Sequence, residues 1–153
     1  MKNTFFILVT CLSLGFSAGA QVEKKKTSPV KSVNVPENVN NTFKSLYAVA
    51  TEDQWNKNYS GNYVVTFTNA ENLKQTAEFT GSGAMIKSKV AYMPDALPQN
   101  LITSITAQYP NAKVTEAAKL QLPGVAPYYR VKIMSAENIS KELLISEEGT
   151  ISE

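Results

Sequence analysis

Apolar and polar positions alternate along this chain in blocks, and the blocks come twice. Tyr63, Val65 and Phe67 alternate with Val64, Thr66 and Thr68; Tyr129, Val131 and Ile133 alternate with Arg130, Lys132 and Met134. A period of two, rich in aromatic and β-branched residues, predicts strands with one face on a core. Leu73 to Phe79 and Ala84 to Tyr92 continue the pattern in the first block, and Ile139–Ile145 with a short end at Thr150–Ser152 continue it in the second. One more strand precedes each pair, brief around Trp55 and longer from Val114 to Leu122. Ahead of each block the period lengthens. Val39, Phe43, Leu46 and Tyr47 follow Pro36, and Leu101, Ile102, Ile105 and Tyr109 follow Pro98. Each set makes one apolar stripe on a helix, with proline at the start, where its missing N–H costs nothing.

The two blocks are copies. Ala70-Glu71-Asn72 recurs as Ala136-Glu137-Asn138, and Tyr63/Tyr129, Val65/Val131, Phe79/Ile145 and Gly83/Gly149 all stand 66 residues apart. Between the helices the offset is 62, because Pro123-Gly124-Val125-Ala126-Pro127 adds four residues to the second copy. A fixed period fixes the architecture before any single element does. The expected fold is α+β: two tandem units, residues 36–93 and 94–153, each a helix followed by four antiparallel strands. Side by side they make one roughly eight-stranded sheet with both helices on one face and water on the other.

The N-terminus follows different rules. Lys2, the apolar run Phe5–Leu14 and Ala18-Gly19-Ala20 have the three-part form of a signal peptide cut before Gln21. The run is too short to span a bilayer comfortably and no stop-transfer pattern follows, so residues 1–20 are expected to be removed and no stable membrane insertion remains. Cys11 interrupts the apolar segment rather than ending it, which argues against lipidation. Cleavage would remove this single cysteine and with it any disulfide or thiol chemistry. Residues 21–35, with Lys24-Lys25-Lys26, Ser, Thr and Pro29, read as a flexible linker. The expected location is periplasmic or secreted.

Charge and chemistry narrow the function classes. The basic excess sits in that tail; from Pro36 onward ten Lys and Arg face twelve Asp and Glu. No basic face with interleaved aromatics is present, so nucleic acid is not an expected partner. There is no histidine, which removes the commonest general base and zinc ligand. Gly81-Ser82-Gly83 lacks the spacing and lysine of a phosphate loop and reads as a hairpin turn. Glu147-Glu148 is too small a set for calcium and reads as a solvated turn. Glu78 and Glu142 both fall on strands beside core positions, where a glycosidase pair could sit, and no cleft marks them. No catalytic, cofactor or metal residues are assigned.

The Tyr-Pro-Asn-Ala at Tyr109–Ala112, the Tyr-x-Val-x-Ile at Tyr129–Ile133 and the Glu-Glu-Gly hairpin resemble the PepSY-like domains. More narrowly they resemble exported tandem proteins called β-lactamase-inhibitor-like, over residues 36–153. The resemblance implies a periplasmic or secreted binding protein whose open sheet face docks onto another protein. It carries over no inhibitory residue. On the outward set, Val64, Thr66 and Thr68 belong to the first unit with Thr76, Glu78 and Thr80; Tyr128, Arg130, Lys132, Met134 and Leu144 belong to the second with Glu142. Tyr, Arg and Met are favoured in interface cores, so Tyr128, Arg130, Met134 and Leu144 form the preferred contact patch. An ordinary solvated sheet face is the plain alternative. The expectation is a non-catalytic binding protein, with an envelope carrier or sensor of small molecules or ions as the rival. Trp55 reads as a core residue before it reads as a docking anchor.

Overall fold

The structure is a computed structural model and describes residues 33–152; the expected signal peptide and nearly all of the expected linker lie outside them. Val33 and Val35, at the linker's end, are partly buried against the first core. Helix α1 spans Glu37–Leu46 and α2 spans Gln99–Gln108. Each starts on a proline carbonyl, Pro36 O accepting from Asn40 N–H and Pro98 O from Ile102 N–H. Each closes on a tyrosine, whose N–H reaches Phe43 O at 2.8 Å or Ile105 O at 2.7 Å.

The strands are β1 (Thr51–Lys57), β2 (Tyr63–Thr68), β3 (Lys74–Phe79), β4 (Met85–Tyr92), β5 (Lys113–Gln121), β6 (Tyr128–Met134), β7 (Ser140–Ser146) and β8 (Ile151–Ser152). They form one eight-stranded antiparallel sheet in chain order. Five hairpins share one local design. In the β2–β3 turn, Asn69 N–H bonds to Leu73 O and Asn72 N–H returns to Asn69 O, while the Asn69 side chain accepts from Glu71 and Leu73 N–H. The same arrangement recurs from Asn58, Thr80, Ser135 and Ser146. The fourth residue always has positive φ and is always Gly or Asn, the left-handed position that ends a three-residue hairpin loop.

Lateral register settles the layering. Phe67, Gln75, Val90, Lys119, Tyr129, Ile145 and Ile151 make one row of paired residues across seven strands. Paired residues share a face. Phe67 packs in the core under α1, with Val39, Phe43, Tyr63, Val65, Ala77 and Phe79. Tyr129 and Ile145 pack in the core under α2, with Leu101, Ile105, Val131, Ile133 and Leu143. Both helices therefore cover the same side of the sheet, as expected. The cores are separate clusters, and the face between them is polar: Gln75 and Ser88 are buried there, beside Lys119 and Gln121.

Three details depart from the expectation. Leu46, counted in the first helix stripe, is 50% exposed, because it ends the helix and overhangs the β2–β3 turn rather than the sheet. Strand β1 is longer than a brief segment around Trp55; it is an irregular edge with a register shift between Thr51 and Gln54 and a positive φ at Glu52, features that blunt an edge against further pairing. Thr80 opens a turn, with its hydroxyl on Ala84 N–H, and does not stand on the outward face. Trp55 is half-buried. Its ring meets Phe43 edge-on at 5.2 Å, and its N–H donates outward to Asp53 at 2.9 Å.

Candidate functional site

The face opposite the helices is assembled by the same register. Gln54, Thr66, Thr76, Lys89, Leu120, Tyr128 and Ser146 form one row, and Ala91, Ala118, Arg130, Leu144 and Ser152 form the next. All eight residues expected on this face share it. Arg130 stands directly opposite Leu144, Lys132 opposite Glu142, and Met134 opposite Ser140. Val64, Thr66 and Thr68 lie four strands away on β2, at about 4.8 Å per strand some 19 Å from their β6 counterparts. Leu144 is 41% exposed, and the other seven are half-buried, held upright by their neighbours but open to contact.

Among the residues of this face missed in the sequence, Lys89 and Leu120 stand at its centre. They reach it because β4 pairs with β5, Lys89 opposite Leu120, and no alternation within either strand announces that join. Together with Arg130 and Lys132 they surround the buried methyl of Ala118. A shallow depression of about 150 Å³ opens there, bounded by Lys89, Glu116, Ala118, Arg130, Lys132 and Glu142. Lys132 is held by Glu116 at 3.2 Å, and Lys87 by Glu78 at 3.1 Å. Lys89 and Arg130 have no ion pair within 4.0 Å among the described residues. The depression at the centre of the face thus carries three cations and two carboxylates, a net charge of +1, with Lys89 and Arg130 outside any ion pair among the described residues.

Glu78 and Glu142 do not make a catalytic pair. Glu78 lies on β3 and Glu142 on β7, four strands and roughly 19 Å apart, well beyond the separation that either glycosidase geometry uses. Glu78 is 9% exposed. Its Oε1 accepts from the amides of Asn58 and Asn62, both at 2.8 Å. The Asn62 amide foremost, with Lys87 and Asn58, holds its pKa below the ordinary 4.5 against the opposing effect of burial. An ionised, fully bonded carboxylate is a structural anchor. The Glu147-Glu148 turn is likewise engaged: Glu147 pairs with Lys119 and its carbonyl accepts from Asn100 at 2.8 Å. Among the described residues no three carboxylate, cysteine or histidine side chains gather as a metal site, and no helix is long and apolar enough to cross a membrane.

The helix-bearing side has its own concavities. A cleft of about 190 Å³ lies over the uncovered strands between the two cores, against Gln75, Ser88, Val90, Tyr92, Lys119 and Gln121. Burial, with Tyr129 alongside, pushes the Tyr92 hydroxyl up to about 12. A second cavity of about 270 Å³ lies where α1 ends.

Solved structures share this fold. A BLIP-like protein from Bacteroides fragilis NCTC 9343 superimposes with a TM-score of 0.69 at 17% identity, over 80% of this chain and 86% of that one. A DUF2874 family protein from Bacteroides ovatus ATCC 8483 gives 0.66 at 19% identity, over 79% and 86%. One of the "putative periplasmic proteins" from Bacteroides eggerthii DSM 20697 gives 0.63 at 16% identity, over 79% and 88%. No curated protein matches the chain. The family model described as "Putative beta-lactamase-inhibitor-like, PepSY-like" matches twice, over residues 16–79 and 61–153. Duplicated unit, open sheet and family model agree, and the chain belongs to that PepSY-like family.

Proposed function

We propose that the protein is a non-catalytic binding module of the periplasm or the extracellular space, which docks another protein on its open sheet face. The observation that carries this reading is the bare side of the sheet, where Tyr128, Arg130, Met134 and Leu144 cluster on and beside β6 around the unpaired cation at Arg130. Eight strands at about 4.8 Å and six residues at about 3.3 Å give a face near 34 by 20 Å. That is close to the ~800 Å² per partner of a standard interface. Tyr and Arg are the residues that most often dominate such contacts. The names of the Bacteroides fragilis and Bacteroides eggerthii structures support an inhibitor-like shape and a periplasmic setting.

Inhibition of a β-lactamase is a narrower form of the same idea and has no matched residue behind it. A photoreactive amino acid placed at Tyr128 or Leu144, and as a control at the exposed Ala107 of α2, tests the docking face in envelope extracts. Adducts from the sheet positions and none from Ala107 are expected. Adducts from Ala107 alone, or from no position, defeat the proposal.

A further inference from the structure

The duplication supplies an internal control for every exposed residue. Leu46 and Val49 are large apolar side chains left in water, 50% and 65% exposed. Their counterparts at the 62-residue offset are Gln108 and Asn111. The equivalence holds in detail, since Ala50 N–H bonds to Tyr47 O in one copy and Ala112 N–H to Tyr109 O in the other. Asn111 has a reason of its own, a φ of +67 that valine would resist. Nothing in the first copy's turn requires valine, and nothing in the helix requires leucine. The fold does not need this apolar surface.

The same comparison explains the hollow beside it. In the second copy, Lys141 lies over the Tyr109 ring at 4.9 Å and donates to its hydroxyl at 3.0 Å, filling the space between helix end and hairpin. The residue 66 earlier is Gln75, which is shorter and turns to Asn69, its Oε1 accepting at 3.3 Å. A cavity of about 270 Å³ remains, walled by Leu46, Tyr47, Val49, Phe67 and Ala70. It shares Asn69, Glu71 and Gln75 with the cleft between the cores. The two make one trough with an apolar end and a polar end.

At the polar end, Gln75 is 7% and Ser88 3% exposed. The Ser88 hydroxyl has no hydrogen bond among the described residues, and no buried side-chain oxygen there is left unsatisfied. The hydroxyl therefore opens into the cleft. With the Asn69 amide and Gln75 Oε1 engaged in the turn, the Gln75 NH2 group and the Gln121 amide supply donor and acceptor together, the complement of a peptide backbone. Charge points the same way. Lys119 is taken by Glu147, while Glu71 has no ion pair within 4.0 Å among the described residues. With Lys119 engaged, the trough offers no free cation to the carboxylate of a fatty acid and suits neutral or N–H-rich groups.

We infer that this trough, on the helix-bearing side, is a second binding site that takes an extended peptide, with one apolar side chain in the hollow by Leu46 and Val49 and its backbone on Gln75 and Ser88. It is separate from the sheet face and stands or falls independently of it.

Amide chemical-shift titration of the full mature chain with the capped tripeptides Ac-Gly-Leu-Gly-NH2 and Ac-Gly-Ser-Gly-NH2, and with hexanoate, tests it. The leucine peptide is expected to shift the amides of Val49, Ala50, Glu71, Gln75 and Ser88, and the serine peptide to bind at least tenfold more weakly. Gln75→Lys and the double variant Leu46→Gln/Val49→Asn carry residues that the second copy already folds with. Each is expected to keep a dispersed native spectrum and to weaken the leucine peptide at least tenfold. Equal binding of the two peptides, no shift from either, or unchanged affinity in Gln75→Lys overturns the inference. Hexanoate matching the leucine peptide overturns it too, by assigning the hollow to an acyl chain.

Discussion

Glu78 is the most constrained charge on the open face, and its environment converts directly into a pH dependence. Two asparagine amides at 2.8 Å and Lys87 at 3.1 Å converge on a carboxylate that is 9% exposed. Its pKa in the folded chain lies below the ordinary 4.5, so the folded state binds this proton less readily than the unfolded state does. The stabilisation is complete above about pH 4.5 and is lost as pH falls through the lowered folded value. Glu78→Gln keeps the shape and removes the charge. At pH 7 it is expected to cost about 1–2 kcal/mol, the margin between charge-assisted and neutral hydrogen bonds. In urea unfolding the gap between wild type and variant should be narrower at pH 3 than at pH 7, as falling pH approaches the lowered folded value and the wild-type carboxyl begins to take up its proton. An equal gap at both values would mean that the charge is not what Asn58 and Asn62 hold.

Elements are joined here by their turns, and one position in each unit ties the helix to the last hairpin. Gly83 and Gly149 have φ of +89° and +92°. A Cβ on Gly149 would stand 2.7 Å from Ser104 Oγ, and one on Gly83 would stand 3.1 Å from Asn38 O. Beside them, Asn100 Nδ2 donates to Glu147 O and Asn38 Nδ2 to Gly81 O. Helix and hairpin thus meet at a glycine in each unit, against the Asn38 backbone in the first and the Ser104 hydroxyl in the second, at a positive φ that glycine adopts without strain. Gly149→Ala is expected to destabilise by about 1–3 kcal/mol through strain at positive φ and the clash. Gly81→Ala, with ordinary φ and nothing within 4 Å, should change stability by no more than about 0.5 kcal/mol. Urea midpoints of the two variants test this, and equal costs would refute the clamp.

These same turns are why so much of the fold was legible. A hydrogen-bonding side chain three residues before Gly or Asn marks all five hairpins, and alternation in Tyr63–Thr68 and Tyr128–Met134 gives the buried face. The open face was half-legible. Its β2 and β6 residues follow from alternation, but Lys89 and Leu120 depend on which strand lies beside which. The Asn58–Asn62 grip on Glu78 depends on a turn closing from another strand. Leu46 was misplaced because a helix stripe says which way a residue points, and not whether the sheet extends far enough to meet it.

At the scale of the whole molecule, the two cores are joined by a ladder rather than by a common interior. Strands β4 and β5 pair from Ser88–Gln121 to Tyr92–Ala117, and the helix-side surface along that seam is mostly polar, Gln75, Ser88, Lys119 and Gln121 beside Val90 and Tyr92, whose ring meets Tyr129 at 5.7 Å. Stability should therefore behave as in a two-repeat array, a sum of two intrinsic terms and one interface term. Trp55 is the only tryptophan, and it packs against Phe43 and Phe79 in the first core. Its emission reports that core alone. Leu143 is fully buried in the second core, and Leu143→Ala is expected to cost about 2–5 kcal/mol there. The far-UV signal, which sees both units, should move to lower urea. The Trp55 midpoint should move less than half as far, because the β4–β5 ladder and the Tyr92–Tyr129 contact, rather than a shared core, carry the loss across. Coincident shifts of both probes would mark a single cooperative unit. In that case the polar seam would couple the halves as tightly as a shared core, and a ligand lying in the trough along it would act on both.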